Sequence, residues 1–582
     1  MSKKRIIGGV VAVAVFLLGT GAGLLAYFLT KDSPDQSSGG PYKRVAVVTD
    51  TPRCSVIGKN ILNANGSAVD AAITAMFCLG VVSMHSSGIG GGGVMLVYNQ
   101  TSKQVKVIDF RETAPATAHK NMFKGNESKA RKGGLAIAVP GEVRGMHKAW
   151  KRHGRLPWKQ LVQPAIDLAR KGFKVTQAVE DALKTTKGIK DDIENDPGLS
   201  ELLLTKNKKL VKKGDVIKNV QYAETLETVR DNPDSFYNGT LASKILRDIK
   251  KVNGTVTEED LRSYTWILRD PYQSNIRDMK MYLTPPPTSG AVLALILNIL
   301  RGYNMTSSAR DDVNATVLTY HRIIESFKFS YAWRSRLGDP KFDQTISKTA
   351  EKMLEPELGD ALRQKIWDNK TYTNVSYYAD SFSNADYGTT HVAVLDQNGD
   401  AVSVTSTINM RFGAKYRSTT TGIIYNNEMA DFDIPDYEVV GDISPSPFNF
   451  PEPGKRPFSS MCPTILTDND GKVRFIIGAS GGKRITTAVS LVLMNKLWFG
   501  DDLSKAVDEP RLHSQLVPDQ TVFYEKNKPY RVQENVIEGL IERGHIVNGS
   551  DLFAVVQAIY KEPGARIFAK ADPRKHGAPA GE

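Results

Sequence analysis

Thr389 is the residue on which a reaction would turn. It follows Gly388 and leads into Thr390-His391-Val392-Ala393-Val394-Leu395; beyond Gln397-Asn398-Gly399-Asp400 a second run extends from Ala401 to Thr407. A hydroxyl placed directly after a glycine can approach the carbonyl that precedes it, and a cut between Gly388 and Thr389 would leave the threonine with a free α-amine. Such an amine ordinarily titrates near about 7.7–8.0, so it can act as the base for the threonine hydroxyl. The same residues also fit an ordinary surface hairpin with a threonine at its base, so the rest of the chain must decide.

The elements that would hold this hydroxyl are a hairpin and a loop. Asn398-Gly399 between two alternating runs predicts a two-residue type I′ turn, because that turn needs positive φ at both central residues. In that register, paired residue numbers sum to 797, which sets Thr389 opposite Ile408 and between Thr407 and Asn409. From Asp368 to Gly388 the chain is polar, rich in Asn, Ser and Tyr and without a sustained apolar period, which predicts a loop. A loop of that length inside a domain is usually functional or disordered.

Further motifs follow in order: Ser406-Thr407-Ile408-Asn409, Asn426-Asn427-Glu428-Met429-Ala430-Asp431-Phe432, Pro457-Phe458-Ser459-Ser460-Met461-Cys462-Pro463-Thr464 and Gly478-Ala479-Ser480-Gly481-Gly482. Together with Gly388-Thr389-Thr390-His391 they resemble the small subunit of the γ-glutamyltransferase family, and the likeness extends upstream through nearly the whole of the chain expected to lie outside the membrane. The resemblance implies an N-terminal nucleophile hydrolase with an α+β fold, a four-layer αββα sandwich formed jointly by two subunits. It implies cleavage before Thr389, with Thr407 orienting the nucleophile and the backbone N–H groups of Gly481 and Gly482 forming the oxyanion hole. The implied donors are glutathione and other γ-glutamyl compounds, the acceptors water, amino acids or dipeptides, with no cofactor. Arg111, Ser459 and Ser460 would hold the glutamyl carboxylate, a role suited to a guanidinium fork; Asn409, Glu428 and Asp431 would hold the ammonium. By spacing alone, Glu428 and Asp431 also fit a general acid/base pair. His391 reads as structural.

Two other readings remain open. One is an amidase of the same fold, resembling the cephalosporin acylases; the other is a membrane glycoprotein that is never cut and catalyses nothing.

Ser86 to Gly93 satisfies Gly-x-Gly-x-x-Gly, but the residues after it, Val94 to Tyr98, read as a strand. Without a helix N-terminus there is no cradle for a pyrophosphate, so a dinucleotide site is excluded. The net charge of +13 comes from Lys and Arg interleaved with acids, without a nucleic-acid-binding motif, and reads as a solvated surface. None of the nine histidines pairs with another at helical spacing, which argues against a metal site. Of three cysteines, Cys54 and Cys78 flank a helix-like run and would pair in an oxidising compartment, a pairing the resemblance supports; Cys462 reads as a small core residue.

Ile6 to Leu29 is an uncharged, mostly apolar run preceded by Lys3, Lys4 and Arg5. As a helix it would be about 36 Å long and would span a bilayer core, with the basic flank in the cytoplasm, as a type II anchor with the catalytic part extracellular. A cleaved signal peptide is the alternative, disfavoured by the length of the run. The division expected is a tail over 1–5, an anchor over 6–29, a stalk over 30–44, a large-subunit part over 45–388 and a small-subunit part over 389–582. Ten Asn-x-Ser/Thr sites, at Asn65, Asn99, Asn126, Asn238, Asn253, Asn304, Asn314, Asn369, Asn374 and Asn548, agree with an extracellular location. Helices are expected over 68–79, 141–153, 158–171, 291–300 and 486–499, with Ser289 as an N-cap, and strands over 45–49, 94–98, 105–110 and 473–478.

Overall fold

The computed structural model describes residues 38–382, 388–435, 443–517 and 520–582. The expected tail and anchor lie outside the described residues, as do Asp386 and Tyr387; among the described residues no helix is long and apolar enough to cross a membrane.

The strands that matter for the site are, in chain order, β1 (Ser38–Tyr42), β2 (Ala46–Thr49), β3 (Gly92–Tyr98), β4 (Val105–Phe110), β5 (Ile267–Arg269), β6 (Tyr272–Ile276) and β7 (Met279–Leu283). After a long helical stretch come β8 (Thr390–Leu395), β9 (Ala401–Thr407), β10 (Thr464–Thr467), β11 (Val473–Ser480), β12 (Val555–Lys561), β13 (Ile567–Ala571) and β14 (Ala578–Gly581). They form two seven-stranded sheets, one in the order β14-β2-β8-β9-β3-β4-β5 and the other β1-β13-β12-β11-β10-β7-β6.

Alternation along each strand explains how the sheets stack, since successive side chains point to opposite faces. In the first sheet Val48, Leu96, Ala393 and Leu395 meet Ile465, Ile476 and Ile559 of the second across a shared core. Their neighbours Val47, Met95, Val392 and Val394 face the other way, into a core with the helices α1 (Pro52–Asn63), α2 (Ala68–Val82), α3 (Glu142–His153) and α4 (Trp158–Lys171). On the far side Phe475, Ile477 and Val556 pack against α5 (Gly290–Arg301), α6 (Val313–Arg334) and α7 (Arg484–Leu497). The result is helix, sheet, sheet, helix. Both faces of β8 and β9 are covered, so their residues are buried throughout.

Three expectations change. The hairpin pairs Thr390 with Ser406 and Leu395 with Ala401, so paired numbers sum to 796 and Thr407, not Ile408, stands opposite Thr389. The cause is Asp396, whose Oδ1 accepts the N–H groups of Asn398 (2.8 Å) and Asp400 (3.0 Å) and so closes a three-residue turn. Only Gly399 in it has positive φ, at 86°, which is the geometry of a three-residue loop with glycine at its left-handed position. Second, the end of the expected stalk is not free chain: Ser38–Tyr42 pairs with β13 at a sheet edge. Third, Ser289 stands at the N-cap position of α5 but does not cap it; its hydroxyl donates to the carbonyl of Ser459 at 2.9 Å.

Cys54 of α1 and Cys78 of α2 are joined in a disulfide, which ties two helices rather than the ends of one; Cys462 is free and buried.

Between the sheets, the His391 ring lies against Gly478 of β11. A Cβ on Gly478 would come within 2.2 Å of the ring. Gly478→Ala should therefore destabilise the fold by about 1–3 kcal/mol, the usual cost of overpacking. A denaturant midpoint equal to that of the unaltered protein would show that the two sheets are not held at this spacing.

Candidate active site

Thr389 stands at the head of β8 on the face turned to the second sheet. Its φ is +93°, a region that β-branched residues rarely occupy, at a typical cost of about 1–3 kcal/mol. Gly388 precedes it at φ +156°, and a Cβ there would lie 1.6 Å from the carbonyl oxygen of Asn409. No larger residue passes at that point. The Thr389 and Thr407 hydroxyl oxygens are 3.2 Å apart, and Thr407 Oγ1 accepts the Asn409 N–H at 2.8 Å.

Neighbouring backbone is fixed by residues with no signal in the local motif. Asp50, just beyond β2, accepts the Thr390 hydroxyl at 2.7 Å, the Gln557 amide at 2.7 Å and Lys575 Nζ at 2.6 Å. Lys575 also donates to the Thr389 carbonyl at 2.8 Å. Sequence reading missed all three because they come from remote parts of the chain; Asp50 alone had a cue, as a carboxylate ending an expected strand.

The glycine-rich turn before β3 serves close packing. A Cβ on Gly91 would lie 1.9 Å from the Thr407 carbonyl oxygen, and one on Gly90 2.2 Å from that of Ile424. Asn426 Nδ2 donates to the carbonyls of Gly90 (2.8 Å) and Ala138 (2.9 Å), which sets the segment carrying Glu428 and Asp431 against this turn. Asn409, at φ +67°, donates through Nδ2 to the Asn427 carbonyl at 3.0 Å.

Arg111 follows β4 and is buried with Glu428, while Asp431 joins them at the edge. Its Nη1 donates to Glu428 and its Nη2 to Asp431, and Nε donates to the Pro457 carbonyl at 3.2 Å. The expected carboxylate-binding cation and the expected ammonium-binding acids are thus in contact with each other. Burial acts to lower the Arg111 pKa, but Glu428, Asp431 and Glu112 outweigh it and raise it, so the guanidinium stays charged.

Ser459 and Ser460 are buried on the segment between Phe458 and β10. The Ser459 N–H donates to the Pro287 carbonyl (2.8 Å), and the Ser460 carbonyl accepts from Thr486 Oγ1 (3.2 Å). Gly481 and Gly482, at φ +128° and +61°, form the turn from β11 into α7. A cleft of about 1180 Å³ opens beside Thr389, lined among others by His85, Gly388, Arg411, Gly481 and Lys575. Arg111, Glu428, Asp431, Ser459 and Ser460 are not on its lining.

The two histidines nearby are poor bases. Burial pushes His391 down to about 3; its Nδ1 lies 2.8 Å from Thr405 Oγ1 and its Nε2 3.3 Å from Ser403 Oγ. Burial, with Lys575 and Arg411, lowers His85 well below the usual range. Glu112 behaves oppositely. Burial raises it to about 8, Arg111 opposes the rise, and Glu142 and Asp431 add to it.

Two facing sheets between helical layers, with a threonine hydroxyl at the head of an inner strand directly after an obligatory glycine, define the N-terminal nucleophile type of hydrolase fold. The structure of a cephalosporin acylase from Bacillus halodurans matches with a TM-score of 0.79 at 26% identity, covering 95% of this chain and 98% of that one. The gamma-glutamyltranspeptidase family model matches residues 54–582, so the chain belongs to that family. It is 40% identical to scoloptoxin SSD14 of Scolopendra dehaani, covering 95% of each chain. It is 38% identical to glutathione hydrolase 2 of Arabidopsis thaliana, covering 92% of this chain and 93% of the relative.

Because Glu112 binds its proton more tightly folded than unfolded, its contribution falls as pH rises from about 4.5, its ordinary value, through about 8. Glu112→Gln should flatten the decline in melting temperature across that window. An unchanged slope would mean that Glu112 is not the buried acid responsible.

Proposed function

We propose that this protein transfers γ-glutamyl groups from glutathione and related donors to water or to the amine of an amino acid or dipeptide, through an ester on Thr389. The observation that carries the reading is the strained Thr389, its hydroxyl against Thr407 and its backbone threaded past Asn409 by Gly388.

Maturation would begin with Thr389 Oγ1 attacking the Gly388 carbonyl carbon. The C–N bond breaks, the nitrogen takes up the proton, and the resulting ester is hydrolysed to a Gly388 carboxylate and a free Thr389 amine. Cleavage also removes the peptide constraint on Thr389 φ and so releases the strain there. The large and small chains would remain together as a heterodimer.

In turnover the neutral α-amine takes the hydroxyl proton and Oγ1 attacks the γ-carbonyl. The oxyanion would meet the backbone N–H groups of Gly481 and Gly482, and each such donor typically lowers the barrier by about 2.7–4 kcal/mol. The departing amine takes the proton back. Water or an acceptor amine then attacks the ester.

The glutamyl end is a zwitterion, and both signs needed to read it lie buried together at Arg111, Glu428 and Asp431. The α-carboxylate would replace the acids on Arg111, with Ser459 and Ser460 as further donors, and the ammonium would take up Glu428, Asp431 and Asn409. A cluster of one cation and two carboxylates offers an opposite charge to each end of a zwitterion, so neither sign is left buried alone. The acylase reading is weaker because a substrate lacking those charges would not engage this cluster.

Thr389→Ala should give a single uncut chain without γ-glutamyl anilide hydrolysis. Protein with its chain intact through residues 388 and 389 yet fully active would sink the mechanism, as N-terminal sequencing and a denaturing gel would reveal.

Residues 6–29 are proposed as a type II anchor that sets the catalytic part outside the cell. Nine of the ten sequon asparagines are exposed and Asn99 is half-buried, so all are open to an enzyme approaching from solvent. Peptide N-glycosidase treatment of protein from cell membranes should lower its mass, and release of the protein by high salt alone would overturn the anchor.

A further inference from the structure

Arg334, the last residue of α6, is 4% exposed and stands behind the serine pair. Its Nη2 donates to Ser460 Oγ at 3.1 Å, and its guanidinium lies over the Phe458 ring at 4.8 Å. Its Nε has no hydrogen-bond partner. Neighbouring cations are compensated, Lys328 on the same helix by Glu325 at 3.2 Å and Arg336, just beyond the helix end, by Asp380 at 2.9 Å, whereas no carboxylate among the described residues pairs with Arg334. A buried guanidinium without a counter-charge is costly unless an anion or oriented dipoles answer it.

The hydroxyls beside it are oriented in one sense. Ser460 Oγ accepts from Arg334, and Ser459 Oγ accepts the Met461 N–H at 3.2 Å. A serine hydroxyl has a single proton, and with its oxygen engaged by a donor that proton is left to be given to something else. The recipient of that proton must be an acceptor, and with the Arg334 guanidinium on Ser460 the pair suits a carboxylate better than an ammonium. The segment cannot turn to present other groups: Ser289 Oγ holds the Ser459 carbonyl at 2.9 Å and Thr486 Oγ1 the Ser460 carbonyl at 3.2 Å.

We infer that Arg334 is a positioning residue for carboxylate recognition, acting through Ser460: it fixes the hydroxyl as a donor and supplies a second buried positive charge behind it. The inference rests on the γ-glutamyl reading and deepens it, because it assigns discrimination between an α-carboxylate and an α-amide to a residue on α6.

The test uses the full, self-cleaved protein, with the inhibition constants of L-glutamate and of its α-carboxamide measured against a γ-glutamyl anilide. In Arg334→Gln the preference for glutamate over the α-amide should fall by about tenfold to a hundredfold, the range expected from loss of a charge-assisted hydrogen bond. KM for the anilide should rise more than kcat falls. A folded, cleaved variant that keeps the full preference overturns the inference, as does one that loses affinity equally for both inhibitors, which is the mark of a purely structural arginine. Arg334→Lys keeps the charge but not the reach; a partial loss of preference supports the assignment, and no loss overturns it even if the glutamine variant does not fold. Failure of the unaltered protein to hydrolyse the anilide would instead remove the γ-glutamyl reading itself.

Discussion

β8 and β9 pair with Thr390 opposite Ser406, and this register decides which side chains Thr389 meets. It puts Thr389, His391, Thr405 and Thr407 on the face between the sheets, where two hydroxyls come within 3.2 Å of each other. A slip by one residue would turn one strand's set away from the other's, because side chains alternate with a period of two. The Asp396 carboxylate fixes the register from the far end of the hairpin, through two backbone N–H groups. A turn remote from the reaction thereby sets the neighbourhood of the nucleophile.

The second constraint is electrostatic. Arg111, Glu428 and Asp431 are brought together from two separated parts of the chain, and each charge would be expensive to bury alone. Packing around them is backbone against backbone: Gly90 and Gly91 let β3 approach β9 and the segment before Glu428. The dense glycine run that looks like a phosphate cradle in the sequence is instead what allows the charged segment to close on the strand bearing Thr407.

Much of this was legible from residue order alone, for reasons that differ by element. The strands and the long amphipathic helices follow from apolar spacing, and α3 and α4 appear where that spacing predicts them. The motif residues were legible as a set because five short patterns occur in order. The turn at 397–399 was misread because Asn-Gly favours type I′ locally, and the competing Asp396 side chain carries no weight in that rule. Gln557, Lys575 and Arg334 were invisible for another reason, and Asp50 carried only the cue of a carboxylate ending an expected strand. Each acquires its partner only when segments more than a hundred positions apart are folded together.

In the first sheet β8 and β9 lie between β2 and β3, with β14 outside β2. Strands from before and after residue 388 therefore alternate across one hydrogen-bonded layer. A chain severed ahead of Thr389 would not fall into two folded pieces, since each would leave with open edges and half of a core. Reassembly after melting would need two molecules to meet, whereas the uncut chain carries both parts on one tether. Covalent maturation would thus turn a fold that can re-form by itself into one whose loss depends on concentration and is in practice permanent.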